Sequence, residues 1–316
     1  MTVGNLSWQV CIRRVILLSM SKVHRFVTND FSVRIAAVDS TEVVAEMQAI
    51  QGSFPLATLG VGRAMTGALL LASHLKDGQK VGLHFKGNGP LAAVFAEADY
   101  DGRVRGYCPV AHYEAPEKQD ALNLSFALGK GLLNVTSHQP FQRLPFHGTV
   151  EMESGEIGED LAHYLHQSHQ IRSLINLGVY LDVYGKVRAA GGVLIEVMPG
   201  VEEDIVEKIQ NNADHVKGNI SKMILDGARP TDLIAPYLQG LQYTQIPHDH
   251  EVKYFCPCTV DRVLGALQTL GEKELQEMID EGETAKIHCQ MCGKAYEIST
   301  AELSDLKELL RKNSMH

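Results

Sequence analysis

The chain has 316 residues, of which 45% are hydrophobic and 21% are charged, close to the averages for globular proteins. This composition excludes an intrinsically disordered chain and a collagen-like fibre. Six cysteines are too few for a disulfide-stapled secreted domain, yet four of them fall within residues 256–292. The length allows one large domain or about two domains of ordinary size.

The net charge of −9 is unevenly distributed along the chain. Residues 200–316 hold 20 acidic against 12 basic side chains, whereas residues 1–199 hold 18 against 17. Sequence-independent binding of nucleic acid requires a basic surface. The acidic C-terminal part therefore argues against nucleic acid as a partner.

Residues 1–19 are predicted to be an N-terminal extension. They contain Cys11 and a short apolar run at 15–18, which is too short for the core of a secretory signal. A longer apolar stretch, 56–75, approaches the length of a membrane span but contains Arg63. A central arginine costs about 2.5–3.5 kcal/mol in membrane insertion, so we predict a buried helix there and no membrane partner.

Residues 20–199 are predicted to form an α+β core domain. An apolar run at 33–38 predicts a strand, and Asp39-Ser40-Thr41-Glu42 predicts a capping box for a helix that ends near Gly52. Two sets of short apolar runs follow, and their turns at Asp101-Gly102 and Gly185-Lys186 are typical of β-hairpins. The hairpins favour antiparallel sheets over a doubly wound parallel sheet.

Residues 200–253 are predicted to be a helical linker region. Three short segments with apolar residues at helical spacing lie at 202–211, 217–225 and 231–238. None reaches the length of about 12–15 residues at which an isolated helix becomes marginal, so each must pack against another part of the protein.

Residues 254–316 are predicted to form a small C-terminal zinc-binding domain. Apolar stripes predict two helices between 260 and 279, and Ser299-Thr300-Ala301-Glu302 predicts a capping box that begins a last helix. Large apolar side chains are few, so the hydrophobic core is thin and another interaction must stabilise the domain.

Two cysteine pairs supply that interaction. Cys256 and Cys258 are separated by one proline, and Cys289 and Cys292 follow 31 residues after Cys258. Four thiolates in two close pairs are the ligand set of a closed, structural zinc site that binds one ion. An iron–sulfur cluster is an alternative for the same ligands. His248, His250 and His288 lie near the cysteines and could substitute for a ligand.

The spacing of these cysteines also suits redox chemistry. The Cα atoms of residues i and i+2 lie about 6.6–7 Å apart in an extended chain, near the upper limit for a disulfide. The second pair has the Cys-x-x-Cys spacing of redox-active dithiols. Thiolates that hold zinc are the species that oxidants attack. The spacing alone leaves open whether the site is a redox switch or a plain structural zinc site.

The two pairs, in the frames Phe255-Cys256-Pro257-Cys258 and Cys289-Gln290-Met291-Cys292-Gly293-Lys294-Ala295-Tyr296, resemble the C-terminus of a redox-regulated bacterial chaperone family, the thirty-three-kilodalton heat shock proteins. The resemblance covers about residues 22–312. It rests on further upstream motifs: Gly87-Asn88-Gly89-Pro90-Leu91, Val104-Arg105-Gly106-Tyr107, Gly129-Lys130-Gly131, Glu159-Asp160-Leu161-Ala162 with Tyr164, and Ala189-Ala190-Gly191-Gly192.

The resemblance implies a cytoplasmic, non-enzymatic holdase chaperone that is inactive when reduced and zinc-bound. It implies that oxidation forms the disulfides Cys256–Cys258 and Cys289–Cys292 and releases zinc. The C-terminal domain and the linker would then unfold, expose apolar surface that binds unfolding client proteins, and allow the protein to dimerise. Cys11 lies outside the family pattern, and Cys108, most simply a small buried residue, is an additional thiol.

Two other classes of function compete with this interpretation. A zinc-ribbon nucleic-acid-binding protein fits the cysteine spacing but not the acidic C-terminal part. A thiol oxidoreductase would need a thioredoxin-like βαβ pattern around Cys289, which the sequence lacks. The sequence also shows no Ser/His/Asp or Cys/His set with a recognisable catalytic spacing, so it does not predict an enzyme.

Overall fold

The five-stranded antiparallel sheet is the first of two large sheets in the protein. The structure is a computed structural model that describes residues 21–115, 122–142, 144–216 and 219–314, without the side chains of 248, 249, 313 and 314. The strand order is β10-β1-β2-β9-β8. The strands are β1 (Lys22–Thr28), β2 (Val33–Asp39), β8 (Arg172–Leu181), β9 (Val187–Val197) and β10 (Tyr243–Glu251).

The second sheet has six strands in the order β11-β5-β4-β3-β6-β7, antiparallel except for the β11–β5 pair. Its strands are β3 (Lys80–Gly87), β4 (Ala93–Asp99), β5 (Arg103–Tyr107), β6 (Gly131–His138), β7 (Phe146–Glu151) and β11 (Lys253–Tyr254). Gly102 in the β4–β5 turn and Gly185 in the β8–β9 turn have positive φ, as hairpin turns require. The predicted α+β class with antiparallel hairpins is confirmed.

Four helices accompany the sheets in the core: α1 (Thr41–Gln51), α2 (Pro55–Ala72), α3 (Leu124–Leu128) and α4 (Ile157–His169). Helix α2 packs against strands of both sheets. Among the described residues it is the one helix long and apolar enough to span a membrane, but 83% of its residues are buried in the protein. Arg63 pairs with Glu156 of the loop before α4. The prediction of a buried core helix is confirmed.

The start of α1 differs from the predicted capping box. Asp39 is the last residue of β2, and its Oδ1 accepts hydrogen bonds from the backbone and the hydroxyl of Thr41 (2.9 and 2.6 Å). Ser40 is the N-cap residue and makes no side-chain cap bond. The helix begins where the motif predicts, but Asp39 is the last residue of a strand, and its side chain bonds two residues ahead, as short acidic side chains commonly do. The end of the helix at Gly52, with φ of 59°, is as predicted.

Two glycine motifs meet where β3 ends and β6 begins. The backbone N–H of Asn88 donates to the carbonyl of Lys130 (3.0 Å), and Asn88 Oδ1 accepts from the N–H of Lys130 (2.9 Å). A Cβ atom at Gly87 would lie 1.8 Å from the carbonyl oxygen of Leu128, so no other residue fits there without a backbone shift. These motifs therefore serve close backbone packing.

The linker region packs its apolar stripes on the outer face of the five-stranded sheet. It contains the helices α5 (Glu203–Asp214), α6 (Ile220–Leu225) and α7 (Pro230–Ile234). We call the shared cluster the linker interface; the sheet contributes Phe26, Val33, Ile35, Ala37, Ala189, Val193, Ile195 and Val197, and the linker contributes Ile209, Ile220, Ile224, Leu233, Ile234, Tyr237 and Leu238. Because successive side chains of a strand alternate in direction, Ala190 and Leu194 of β9 lie on the other face, in the apolar cluster that also contains the residues of α2. The sheet is thus buried on both faces, and the short helices have the packing partner that they need.

The sequence predicts only helices for residues 200–253, but the structure also has a strand there. Strand β10 pairs antiparallel with β1 over nearly its whole length, from Lys22 with Glu251 to Thr28 with Tyr243. Its partner lies more than 200 residues away, and the segment has no apolar/polar alternation that marks a strand by itself. The linker region therefore both covers one face and closes one edge of the sheet.

The C-terminal unit, residues 254–314, forms a small separate core. Its elements after β11 are α8 (Val260–Gln268), α9 (Glu272–Asp280), β12 (Ala285–His288), β13 (Ala295–Ile298) and α10 (Thr300–Ser314). The predicted capping box before α10 is present, since the N–H of Ser299 donates to Glu302 (2.8 Å) and the N–H of Glu302 donates to Ser299 Oγ (3.3 Å). The buried residues of its apolar cluster are Leu267, Leu275, Ile298, Leu303 and Leu306. This core is as thin as predicted.

An ion pair with a buried carboxylate and a partly exposed arginine joins β2 to β9 and gives a stability prediction. Arg34 lies directly opposite Glu196, which is 1% exposed, and donates from Nε and Nη2 to its two carboxylate oxygens (2.5 and 3.0 Å). We expect Arg34→Ala to lower the free energy of unfolding of the core by about 3 kcal/mol, because the buried carboxylate keeps only His74 beside it, at 3.2 Å, and burial lowers the pKa of that imidazole to about 3. Urea unfolding of the reduced protein measures the change.

Arg172→Ala is the matched control for this prediction. Arg172 bonds to Glu203 at 2.7 Å, but both side chains are more than half exposed. Exposed pairs contribute about 0–1 kcal/mol, so this variant should unfold close to the wild type. Equal losses in the two variants would contradict the role assigned to burial.

Candidate metal centre

The four paired cysteines meet at one point of the C-terminal unit. Their Sγ atoms all lie within 4.8 Å of one another. Two contacts cross between the pairs, with Cys256 Sγ 3.7 Å from Cys289 Sγ and Cys258 Sγ 3.2 Å from Cys292 Sγ. All four side chains are partly buried, and all are free thiols. The structure thus brings together the four residues that the sequence analysis selected.

This arrangement fits a tetrahedral metal. Zinc–sulfur bonds of about 2.3 Å place the sulfurs of a regular tetrahedron about 3.8 Å apart. The two crossed sulfur–sulfur distances, 3.7 and 3.2 Å, are close to that edge and somewhat shorter than it. Four sulfur donors and no carboxylate favour zinc or iron over magnesium or calcium. The donor set therefore matches a closed structural site.

Local backbone structure positions each pair. Cys256 and Cys258 lie in the short segment between β11 and α8. The N-cap residue of α8, Thr259, accepts a hydrogen bond from the N–H of Arg262 (3.3 Å). The second pair lies in the β12–β13 turn. There the N–H of Cys289 donates to the carbonyl of Lys294 (2.9 Å), and the N–H of Gly293 donates back to the carbonyl of Cys289 (2.8 Å). This turn directs the sulfurs of Cys289 and Cys292 toward those of Cys256 and Cys258.

Neighbouring side chains make the thiols inequivalent. Burial raises the pKa of Cys256 and raises the pKa of Cys292 to about 12. Burial also opposes ionisation of Cys258, but hydrogen bonds outweigh it, above all one from the hydroxyl of Tyr296 at 3.0 Å, and lower its pKa to about 7. Of these three thiols, Cys258 is the one that ionises most readily.

The C-terminal unit is anchored on the core domain next to this cluster. Strand β11 extends the six-stranded sheet, where the N–H of Phe255 donates to the carbonyl of Val104 (3.0 Å). The hydroxyl of Tyr254 donates to the carbonyl of Met291, inside the second cysteine pair. Gly293 lies against Ile50 at the end of α1. The cysteine cluster therefore sits at the junction of the two parts.

The remaining candidates lie elsewhere. His250 is on β10 with its ring 4.5 Å from that of Tyr100, His288 is exposed on β12, and neither belongs to the four-residue cluster. Cys108 is buried as predicted, at 4% exposure, and burial raises its pKa to about 11. Cys11, residues 1–19 and the side chain of His248 lie outside the described residues.

Sequence reasoning missed three side chains that touch the centre: Arg105, Tyr254 and Tyr296. Arg105 Nη1 lies 3.4 Å from Cys256 Sγ although the two residues are 151 positions apart. Such a contact leaves no local pattern in the sequence. Alternation along β5 places Arg105 on one face with Arg103, but only the pairing of β11 with β5 reveals what that face meets.

The two large sheets, the helices that cover one of them and the unit with four converging thiols define an α+β protein with a four-cysteine metal site. The family model described as Hsp33 protein matches residues 21–299. The chain therefore belongs to the Hsp33 family, a family of non-enzymatic holdase chaperones.

Several characterised proteins are similar along nearly the whole chain. The 33 kDa chaperonin of Thermodesulfovibrio yellowstonii is 39% identical over 293 residues, which cover 93% of this chain and 100% of that protein. The 33 kDa chaperonin of Synechococcus elongatus is 37% identical, with 87% and 93% of the two chains covered. The crystal structure of the Thermotoga maritima 33 kDa chaperonin superposes with a TM-score of 0.81 at 31% identity, covering 93% of this chain and 99% of that one.

Proposed function

We propose that the protein is a redox-regulated holdase of the cytoplasm, inactive while the four cysteines are reduced and hold one zinc ion. The observation that carries the proposal is the convergence of four free thiols within 4.8 Å in a unit whose own apolar core is thin. A structural zinc ion contributes about 10–16 kcal/mol of apparent folding free energy in small domains. Folding of the C-terminal unit is then tied to the reduced state of its thiols.

Oxidation is proposed to form Cys256–Cys258 and Cys289–Cys292. In the folded unit all four sulfurs lie within 4.8 Å of one another and two contacts cross between the pairs, so the reduced geometry does not itself select these disulfides. The crossed partners are 33 and 34 positions apart in sequence. Once the unit loosens, closing such loops costs about 2 kcal/mol more than joining sequence neighbours, which supports pairing within each motif.

The loss of four thiolate ligands also removes the means of holding the metal. The C-terminal unit, proposed as residues 254–316, then loses its main stabilising interaction and releases its anchor on β5. We propose that the linker, residues 200–253, follows and uncovers the linker interface on the core, residues 20–199. That surface would bind unfolding client proteins and support dimerisation of the oxidised form. Neither nucleic acid nor membrane is proposed as a partner.

A cytoplasmic location suits this mechanism. Disulfides are rare in the reducing cytosol, so a disulfide there can act as a signal rather than a permanent bond. An oxidant such as a peroxide would shift the protein to its active state, and cellular reductants would return it.

The test compares reduced and oxidised protein. The zinc-bound protein is incubated with peroxide at mildly elevated temperature, and free thiols, zinc content and suppression of client aggregation are followed in the same samples. We expect loss of four thiols and one zinc per chain together with a gain of aggregation suppression. Equal suppression by reduced and oxidised protein would refute the redox switch, and tight salt-dependent binding of RNA by the reduced form would favour the zinc-ribbon alternative.

A further inference from the structure

Arg105 reaches the cysteine cluster from the core domain. It lies on β5, and its side chain is 17% exposed. Nη2 bonds to Glu97 of β4 at 3.0 Å, and Nη1 lies 3.4 Å from Cys256 Sγ. One guanidinium thus links the six-stranded sheet to one of the four sulfurs.

The charge of Arg105 is incompletely balanced within the core. Its carboxylate partner Glu97 is shared with Lys80, whose Nζ lies 3.7 Å away. Its Nε atom is buried and finds no hydrogen-bond acceptor among the described residues. A partly desolvated cation with unused donor capacity interacts strongly with an anion placed beside it.

We propose that Arg105 is a positioning residue that stabilises the anionic, four-thiolate state of the cluster and thereby holds the C-terminal unit on β5 until Cys256 is oxidised. This inference rests on the proposed function for its biological meaning. Four thiolates around one divalent zinc carry a net charge of about −2, and Arg105 places a positive charge against that anion.

Oxidation removes the charge that Arg105 faces. Attack of one thiolate on a peroxide breaks the O–O bond and gives a sulfenic acid and hydroxide, and attack of the second thiolate forms the S–S bond and expels another hydroxide. Cys256 and Cys258 together lose two electrons, which the peroxide gains. The product sulfur is neutral and a weak hydrogen-bond acceptor, so the contact with the guanidinium weakens.

The coupling is reciprocal because both states share one thermodynamic cycle. Since Arg105 favours the reduced cluster, its removal should favour the disulfide and weaken zinc binding. A charge-assisted hydrogen bond of this kind is expected to change each equilibrium constant about tenfold. For the two-electron thiol–disulfide couple, tenfold corresponds to about 30 mV.

The experiment uses full-length reduced protein carrying Arg105→Gln, Arg105→Lys or Lys80→Gln. Zinc affinity is measured by competition with a chromophoric chelator, and the fraction of Cys256–Cys258 disulfide is measured in glutathione buffers by differential alkylation and mass spectrometry. We expect Arg105→Gln to bind zinc about tenfold more weakly and to oxidise at a glutathione ratio about tenfold more reducing. Arg105→Lys, which keeps the charge, should recover part of both changes.

Lys80→Gln is the matched control. It removes the other cation beside Glu97, so it should leave both measurements within about twofold of the wild type. Circular dichroism of the core establishes that each variant is folded. Wild-type zinc affinity in Arg105→Gln, or equal weakening in Lys80→Gln, would overturn the inference. If the wild type bound zinc but gained no holdase activity on oxidation, the proposed function would fail separately, and the zinc affinities would still decide the role of Arg105.

Discussion

Cys289→Ala is expected to abolish zinc binding and to unfold the C-terminal unit while the two large sheets stay folded. The substitution leaves three sulfurs, so the closed four-ligand shell cannot form. The small apolar cluster of the unit, with five buried residues, then has to stabilise it without the metal. Since zinc supplies about 10–16 kcal/mol in such domains, the remaining core is insufficient.

Three measurements check this result. Zinc content should fall from one ion per chain to near zero, α8–α10 should lose protection from amide hydrogen exchange, and a protease should cleave the chain after residue 254. Cys108→Ala is the control, because Cys108 is a buried thiol outside the cluster and its replacement should keep zinc content unchanged. A Cys289→Ala protein that kept both its zinc and its protease resistance would contradict the assigned ligand set.

Several parts of the fold were predictable because their signals are local. Asp101-Gly102 specifies a turn with positive φ, and the two runs it joins are β4 and β5. The capping box at Ser299 and Glu302 begins α10 as predicted. In each case the residues that decide the structure are close neighbours in sequence, so their chemistry can be read without knowing the tertiary fold.

Other parts were not predictable because distant residues decide them. Strand β10 exists because the free edge of β1 offers hydrogen bonds to a segment more than 200 residues away. Asp39 has the residue type of an N-cap, yet it ends β2, and its carboxylate accepts from the N–H of Thr41 and not from that of Glu42, as a capping box would require. Tertiary context overrides local preference at both sites.

The candidate site likewise has a part that the sequence predicts and a part that it does not. The cysteine spacing predicts that four thiols converge, since closely spaced pairs form knuckles through local backbone hydrogen bonds. The contacts of Arg105 and Tyr296 with individual sulfurs depend on how a strand and a hairpin dock, which spacing does not encode. The ligand set was therefore accessible from sequence, whereas the surroundings that distinguish the sulfurs were not.

Leu233→Asp is expected to give holdase activity without oxidation. Leu233 is fully buried in the linker interface, on α7 against β2. An aspartate there has no cation in the cluster to pair with, and an unpaired buried charge costs about 3–5 kcal/mol. The short helices α5–α7 are not stable alone, so this penalty should release them and uncover the apolar face of the five-stranded sheet.

Client aggregation is measured with this variant in reductant, beside its zinc content and thiol count. We expect suppression comparable to that of oxidised wild type, with one zinc and four reduced cysteines in the cluster. Leu309→Asp makes the same chemical change at a side chain that is 46% exposed, so it should stay inactive when reduced. If Leu233→Asp frees the linker to proteolysis yet suppresses no aggregation, the linker interface does not bind clients. Activity with zinc retained would instead show that clients bind the surface beneath the linker. The cysteine cluster would then act only by controlling whether the linker covers that surface.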